Sequence, residues 1–250
     1  MSADVYFLLT ALPTLDLPGS EPPLDLAELL ERVPEGRARE LVRCVILSDD
    51  LMQREAALAG ELAAPDPGVL TPEQVRGAAP LPDDLLPPAA GSGGASEPEE
   101  GFRTSADAFR TFPEELRTPA DVIWNAYYRF AHALARRLRS PFLLEWVGSE
   151  VAVRNAVAMM RARALGLDPA RHVVARDLES GDGATADAVV AALTAAPDPL
   201  AGLRELIVLR WRWVEHHEPL YSFGDDEFAA YAARLALLHR WQRSAGGGEP

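Results

Sequence analysis

Apolar residues recur every three to four positions along most of this chain, and the places where that rhythm stops divide it into helices and breaks. In LDLAELLERV, from Leu24, positions 26, 29, 30 and 33 share one helical face, and Pro34-Glu35-Gly36 ends the run. The stretch RARELVRCVILSDDLMQREAALAGELAA carries apolar residues at 41, 42, 45, 46, 51, 52 and 58. It predicts one or two helices over about 37–64, with a break expected at Ser48-Asp49-Asp50. Nearer the start, DVYFLLTAL (4–12) is apolar without a period, which fits either a helix or a buried strand.

The second half gives firmer boundaries. Thr118 followed by Pro119 is a helix start, and Ile123, Tyr127, Phe130 and Leu134 mark its apolar face. Arg136, Arg137 and Arg139 suit the negative end of the same helix. Ser140-Pro141 opens a second helix that runs to about Leu165, where Gly166 is a C-cap. A looser stretch follows, then helices over 185–195, 200–217 and 225–243. Residues 65–101 differ: they are dense in proline, glycine and small residues and hold no aromatic, so they read as a linker or mobile excursion. A marginal helix over 72–77, capped by Thr71, is the one element expected there.

The resulting expectation is an all-α multi-helix bundle. It has an N-terminal helical region (1–64), the Pro/Gly-rich mobile segment (65–101), a main helical region (102–243) and a disordered tail (244–250).

Charge narrows the partners. The net charge is -14, and residues 1–100 carry 19 acids against 6 arginines, whereas the remainder is nearly balanced. Such a surface repels nucleic acid and anionic lipid, while a basic protein partner or simple solubility both fit it. All 24 basic residues are arginine, which excludes a lysine Schiff base or a P-loop. The single cysteine, Cys44, lies in the apolar run LVRCVIL and reads as a buried, inert thiol. The apolar start has no basic flank, and no stretch reaches the ~18–20 apolar residues of a membrane span, so a cytoplasmic protein is expected.

Candidate chemistry is sparse. In FLLEWVGSEVAVRN (142–155), Glu150 lies four residues after Trp146, and Arg154 four after Glu150. A functional reading makes Glu150 a general acid or base. A structural reading pairs it with Arg154 in the favoured Glu-before-Arg order, with Asn155 bonding across a helix interface. No nucleophile, histidine or second carboxylate accompanies Glu150 at useful spacing, which favours the structural reading. Asp49-Asp50 resembles an aspartate-rich magnesium motif, but Gln53 replaces its third acid, so helix capping is expected there. Asp83-Asp84 reads as linker charge. Glu215-His216-His217-Glu218 is a weak metal candidate, because adjacent helical residues point about 100° apart. Trp211 and Trp213 lie nearly opposite each other on their helix; one belongs to the core, and the other faces a neighbouring helix or a partner.

Several pieces taken in order resemble one family: YFLLTALPTL near the start, WNAYYRF at 124–130, FLLEWVGSEVAVRN at 142–155, RARALGLD at 161–168, LRWRWVEHHEPLYSF at 209–223 and DEFAAYAARLALLHRWQR at 226–243. The arrangement is similar to a little-characterised bacterial family found with V-type (A-type-like) ATPases. That family is reminiscent of their shaft-seating component, an all-helical funnel that joins the central shaft to the membrane rotor ring. The resemblance covers about two thirds of the chain, chiefly 118–243, and departs from the family in the loose 65–101 segment. It implies a non-enzymatic, cofactor-free coupling subunit at the cytoplasmic face of the membrane, with shaft and rotor-ring proteins as partners. Glu150, Arg154 and Asn155 would then be polar joints of a rigid body, and Trp211 or Trp213 partner contacts. A free helical adaptor or assembly factor, and a helical enzyme using Glu150 or Glu215/Glu218, are the alternatives.

Overall fold

Several helix starts follow the capping chemistry of the sequence in a computed structural model that describes residues 3–17, 21–85, 119–179 and 183–246. Nine α-helices form among the described residues, and no strand does. They are α1 (Ala3–Ala11), α2 (Leu26–Arg32), α3 (Arg37–Leu58), α4 (Pro72–Val75), α5 (Pro119–Leu138), α6 (Pro141–Ala164), α7 (Ala184–Ala195), α8 (Pro199–His217) and α9 (Asp225–Gly246). Ser140 accepts from Leu143 N at 3.1 Å to cap α6, and Asp198 accepts from Ala201 N at 2.7 Å to cap α8. Each is followed by proline at the first helical position. Thr71 and Gln74 form a reciprocal capping box on the single turn of α4.

The axis of the molecule is α3, buried along most of its length between Ala38 and Gln53. The long α9 packs along it, with α2, α4 and α5 on other sides. Helix α6 lies against α5, α7 and α9, and α8 bridges α7 and α9. One apolar core runs from Leu41, Val45 and Ile46 of α3 to Leu143 and Val147 of α6 and Leu235 and Leu238 of α9. A smaller cluster of Val153, Ala156, Val189 and Leu206 forms where α7 and α8 close on the far end of α6. The fully buried Tyr127 donates from its hydroxyl to Cys44 O at 3.0 Å, tying α5 to α3. Burial pushes the Cys44 thiol up to about 12, so it stays protonated and inert.

The expected break at Ser48-Asp49-Asp50 does not occur: α3 runs through it. Neither aspartate caps a helix. Both lie mid-helix without exposed surface, and each reaches a different element. Asp49 accepts from Arg240 Nε at 2.7 Å, from Arg243 Nη2 at 2.7 and 2.9 Å, and from Gln53 Nε2 at 2.9 Å. Burial would raise its pKa, but the two guanidiniums hold it below the ordinary carboxylate range. Asp50 accepts three consecutive backbone amides, Gly68 N at 2.9 Å, Val69 N at 2.7 Å and Leu70 N at 2.7 Å.

Those amides belong to the stretch expected to be loose, so its first half is corrected. Gln53 adds a two-way bond to the backbone of Asp66, and Leu70, Val75, Leu81 and Leu85 enter the main core. Gly68 is obligatory on space alone, since a Cβ there would meet Ile46 Cγ2 at 2.6 Å. What the composition hides is that Asp50 and Gln53 satisfy this backbone, which lets a proline-rich strip lie on the helix. Asp83 and Asp84 fall in a short 3₁₀ turn, Asp83–Leu85. The rest of the Pro/Gly-rich segment, the Thr118 cap and the tail beyond Gly246 lie outside the described residues.

A second clasp closes the other end of α3. Arg37 donates to Leu138 O and Arg139 O at the end of α5, and to Asp225 and Asp226 at the start of α9, at 2.7–3.2 Å. Asp226 also accepts from Phe142 N at 3.3 Å, so one acid joins the starts of α6 and α9.

Burial pushes the Asp50 carboxyl up to about 6, against the opposing pull of its three amide donors. The folded protein therefore holds that proton more tightly than the unfolded chain. The associated stability is complete below the unfolded value, near 4, and is lost as pH rises through about 6. Asp50→Asn should lower stability at every pH, because one amide oxygen cannot replace both carboxylate oxygens. It should also remove about 2–3 kcal/mol of the wild-type decline between pH 4 and 7. Urea unfolding of both proteins across that range checks it.

Candidate functional site

A cleft of about 440 Å³ opens between the start of α5, the second half of α6, the middle of α8 and the end of α3. Met52, Trp124 and Tyr128 contribute to its walls, and Leu165, Leu167 and Leu203, all well exposed, line it as well. Burial pushes the Tyr128 phenol up, so it remains neutral.

Glu150 and Arg154 both open onto this cleft, but not as the expected pair within α6. Arg210 of α8 donates from Nε to both Glu150 oxygens, at 2.9 and 3.0 Å. Arg154 instead donates to Glu55 of α3 at 2.8 and 3.4 Å, and its guanidinium lies 4.3 Å from the centre of the Trp124 ring. An intrahelical Glu–Arg pair is worth only a few tenths of a kcal/mol. Partners on other helices are within hydrogen-bond reach here, and the Glu150 and Arg210 side chains are only 12% and 14% exposed, so the cross-helix contacts form in its place.

Asn155 is buried one residue further along. Its Oδ1 accepts from Val174 N at 2.8 Å, and its Nδ2 donates to Val174 O at 2.9 Å and to Glu179 Oε1 at 2.6 Å. One side chain thus pairs with the backbone of the irregular 168–179 stretch as a strand would. Asn125 of α5 assists by accepting from Ala175 N at 3.2 Å, beside a left-handed backbone at Ala175 (φ 44°).

The tryptophan expectation divides. Trp211 is 4% exposed, and its indole N–H donates to Glu215 at 2.7 Å, so it is a core residue with no face for a partner; as a candidate partner contact it is corrected. Trp213 is half-buried, stacked at 4.0 Å on His217 and 6.2 Å from Phe142. In Glu215-His216-His217-Glu218, Glu215 accepts from Trp211, His217 Nδ1 meets Trp213 O at 2.7 Å, and Glu218 pairs with Arg234 at 3.0 Å. Among the described residues, no group of three or more His, Cys, Asp or Glu converges as a metal site would require. No helix of the described residues is long and apolar enough to cross a membrane.

Sequence reasoning missed the partners: Arg210 for Glu150, Glu55 for Arg154, and Arg240 with Arg243 for Asp49. A signal was present for the last. Asp49 lies four residues after Val45 and seven after Val42, on their buried face, and Arg240 and Arg243 share a face at three-residue spacing.

Compared with protein-family models, curated proteins and solved structures, the chain finds no match.

Chemically, Glu150 with Arg210 and Glu55 with Arg154 are pairs of opposite sign in the cleft wall, so these contacts fix helix positions. A double-mutant cycle of Glu150→Gln and Arg210→Met, read by urea unfolding, should give a coupling of about 1–3 kcal/mol. A coupling near zero would mean that α6 and α8 are held by apolar packing alone.

Proposed function

We propose that this chain is a non-enzymatic helical component of a V-type ATPase, similar to the funnel that joins the central shaft to the membrane rotor ring. The observation that supports this reading is the set of buried and part-buried ion pairs joining helices far apart in the chain. Asp49 with Arg240 and Arg243, Glu150 with Arg210, Glu55 with Arg154, and Arg37 with Asp225 and Asp226 link α3, α6, α8 and α9 sideways. Such links resist sliding of one helix on another, which a part that carries torque has to do. The all-helical architecture agrees with what the family resemblance implies, and so does the lack of a membrane-spanning helix among the described residues.

Affinity purification of the tagged protein from a mild-detergent lysate of its host, followed by mass spectrometry, tests the reading. The expected result is stoichiometric recovery of V-type ATPase shaft and rotor-ring proteins. Recovery only from assembly intermediates, and not from the mature enzyme, would make the chain an assembly adaptor. Recovery without ATPase components would overturn both.

The 440 Å³ cleft favours a second reading, a helical enzyme or small-molecule binder, because carboxylates including Glu150 line it. On the coupling reading, thermal-shift screening against a metabolite and divalent-metal panel should leave the wild-type melting temperature unchanged. A ligand that raises it, and fails to do so in Glu150→Gln, would favour the binder.

A further inference from the structure

The turn between α8 and α9 is built to hold two apolar side chains out in solvent. Leu220 is 57% exposed and Tyr221 82%, the latter the most exposed of the large apolar side chains among the described residues. The backbone that presents them is strained: Tyr221 sits at φ 59° and Phe223 at φ 48°, left-handed conformations that bulky side chains rarely adopt. The turn is nevertheless clamped. Glu227 accepts from Ser222 Oγ at 2.8 Å and from Phe223 N at 2.5 Å, Ser222 N donates to Pro219 O at 3.2 Å, and Glu218 is tied to Arg234. Strain and clamping together hold an aromatic side chain where it touches little of its own protein.

We propose that Leu220 and Tyr221 are a preformed docking tip for another protein, whose surface offers an apolar socket rimmed by arginine or lysine. The chemistry of the surroundings selects that occupant. Glu215, Glu218, Asp225 and Glu227 flank the tip; Arg234 pairs with Glu218 and Arg37 with Asp225, so Glu215 and Glu227, which accept from uncharged donors, set the negative sign of the collar. An anionic membrane is repelled by this collar, and so is the same tip of a second copy, whereas a basic rim is attracted to it. Fixing the tyrosine in advance removes much of the ordering cost of binding, and tyrosine is among the residue types enriched at binding hot spots. The site replaces the tryptophans as the aromatic contact of this end of α8: Trp211 is internal and Trp213 is stacked on His217, while Tyr221 stands out in solvent.

The partner is taken to be the V-type ATPase, so this inference rests on the function proposed for the chain, and its test separates the two. Purified V-type ATPase from a host strain lacking this chain is titrated with wild type, Tyr221→Gly and Leu220→Ser. Glycine relieves the left-handed strain, so Tyr221→Gly should melt at or above the wild-type temperature. Its affinity should nevertheless fall about tenfold or more, and Leu220→Ser should weaken binding in the same direction. Wild-type affinity should also drop as salt rises, because Glu215 is exposed and Glu227 partly so. If Tyr221→Gly binds as wild type does, the docking tip is wrong while the coupling function stands. If wild type itself fails to bind, that function fails. The tip is then decided by p-benzoylphenylalanine placed at position 221 and irradiated in the host. An adduct to an arginine- or lysine-rich peptide of another protein supports the proposal; an adduct to lipid, to a second copy, or none at all overturns it.

Discussion

A carboxylate with no exposed surface sits in the middle of the deeply buried α3, and two guanidiniums from α9 neutralise it. An unpaired charge in such a place costs about 3–5 kcal/mol, a large share of the about 5–15 kcal/mol that holds a domain folded. Asp49 therefore makes the position of α9 on α3 close to obligatory: the helix can dock only where Arg240 and Arg243 reach the carboxylate. Arg37 imposes the matching condition at the other end, where it ties α3 to the end of α5 and the start of α9. Apolar packing between the two clasps supplies the bulk of the stabilisation but little positional choice, since leucine-rich faces tolerate sliding better than ion pairs do.

Asp50 extends the same principle to irregular chain. Backbone amides of Gly68, Val69 and Leu70 have no helix or sheet to join, and one buried carboxylate accepts all three. Asn155 does the equivalent for Val174. Two neighbouring acids on α3 thus have separate tasks because consecutive helical residues point about 100° apart. Asp49 faces α9, and Asp50 faces the strip that follows α3. The cross-helix pairs at the cleft, Glu150–Arg210 and Glu55–Arg154, complete a set of polar joints running from α3 through α6 to α8.

Much of this was legible in the sequence, and the parts that were not share a cause. Ser140-Pro141 and Asp198-Pro199 announce α6 and α8 because capping and proline placement depend only on neighbours along the chain. Glu150, Arg154 and Asn155 stood out for the same kind of reason, polar residues on an otherwise apolar helix. Their partners did not, since Arg210 lies 60 residues from Glu150 and Glu55 lies 99 from Arg154. The local rule that pairs Glu150 with Arg154 is sound for an isolated helix and yields to stronger contacts once other helices are present. Likewise, the composition of 65–85 signals a poor core former, and nothing local reveals that Asp50, Gln53 and the space beside Gly68 were shaped to receive it.

The sequence by itself determined the helical class, most helix boundaries and the burial of Cys44, because these follow from periodicity, caps and residue chemistry within a few turns. Tertiary structure alone decided which charges meet, that Asp49 and Asp50 are internal, that Trp211 is core while Tyr221 projects, and that a cleft opens beside Glu150. The physical reason is range. Backbone propensity acts over three or four residues, whereas burying a charge is settled by whichever opposite charge the folded chain brings within about 3 Å.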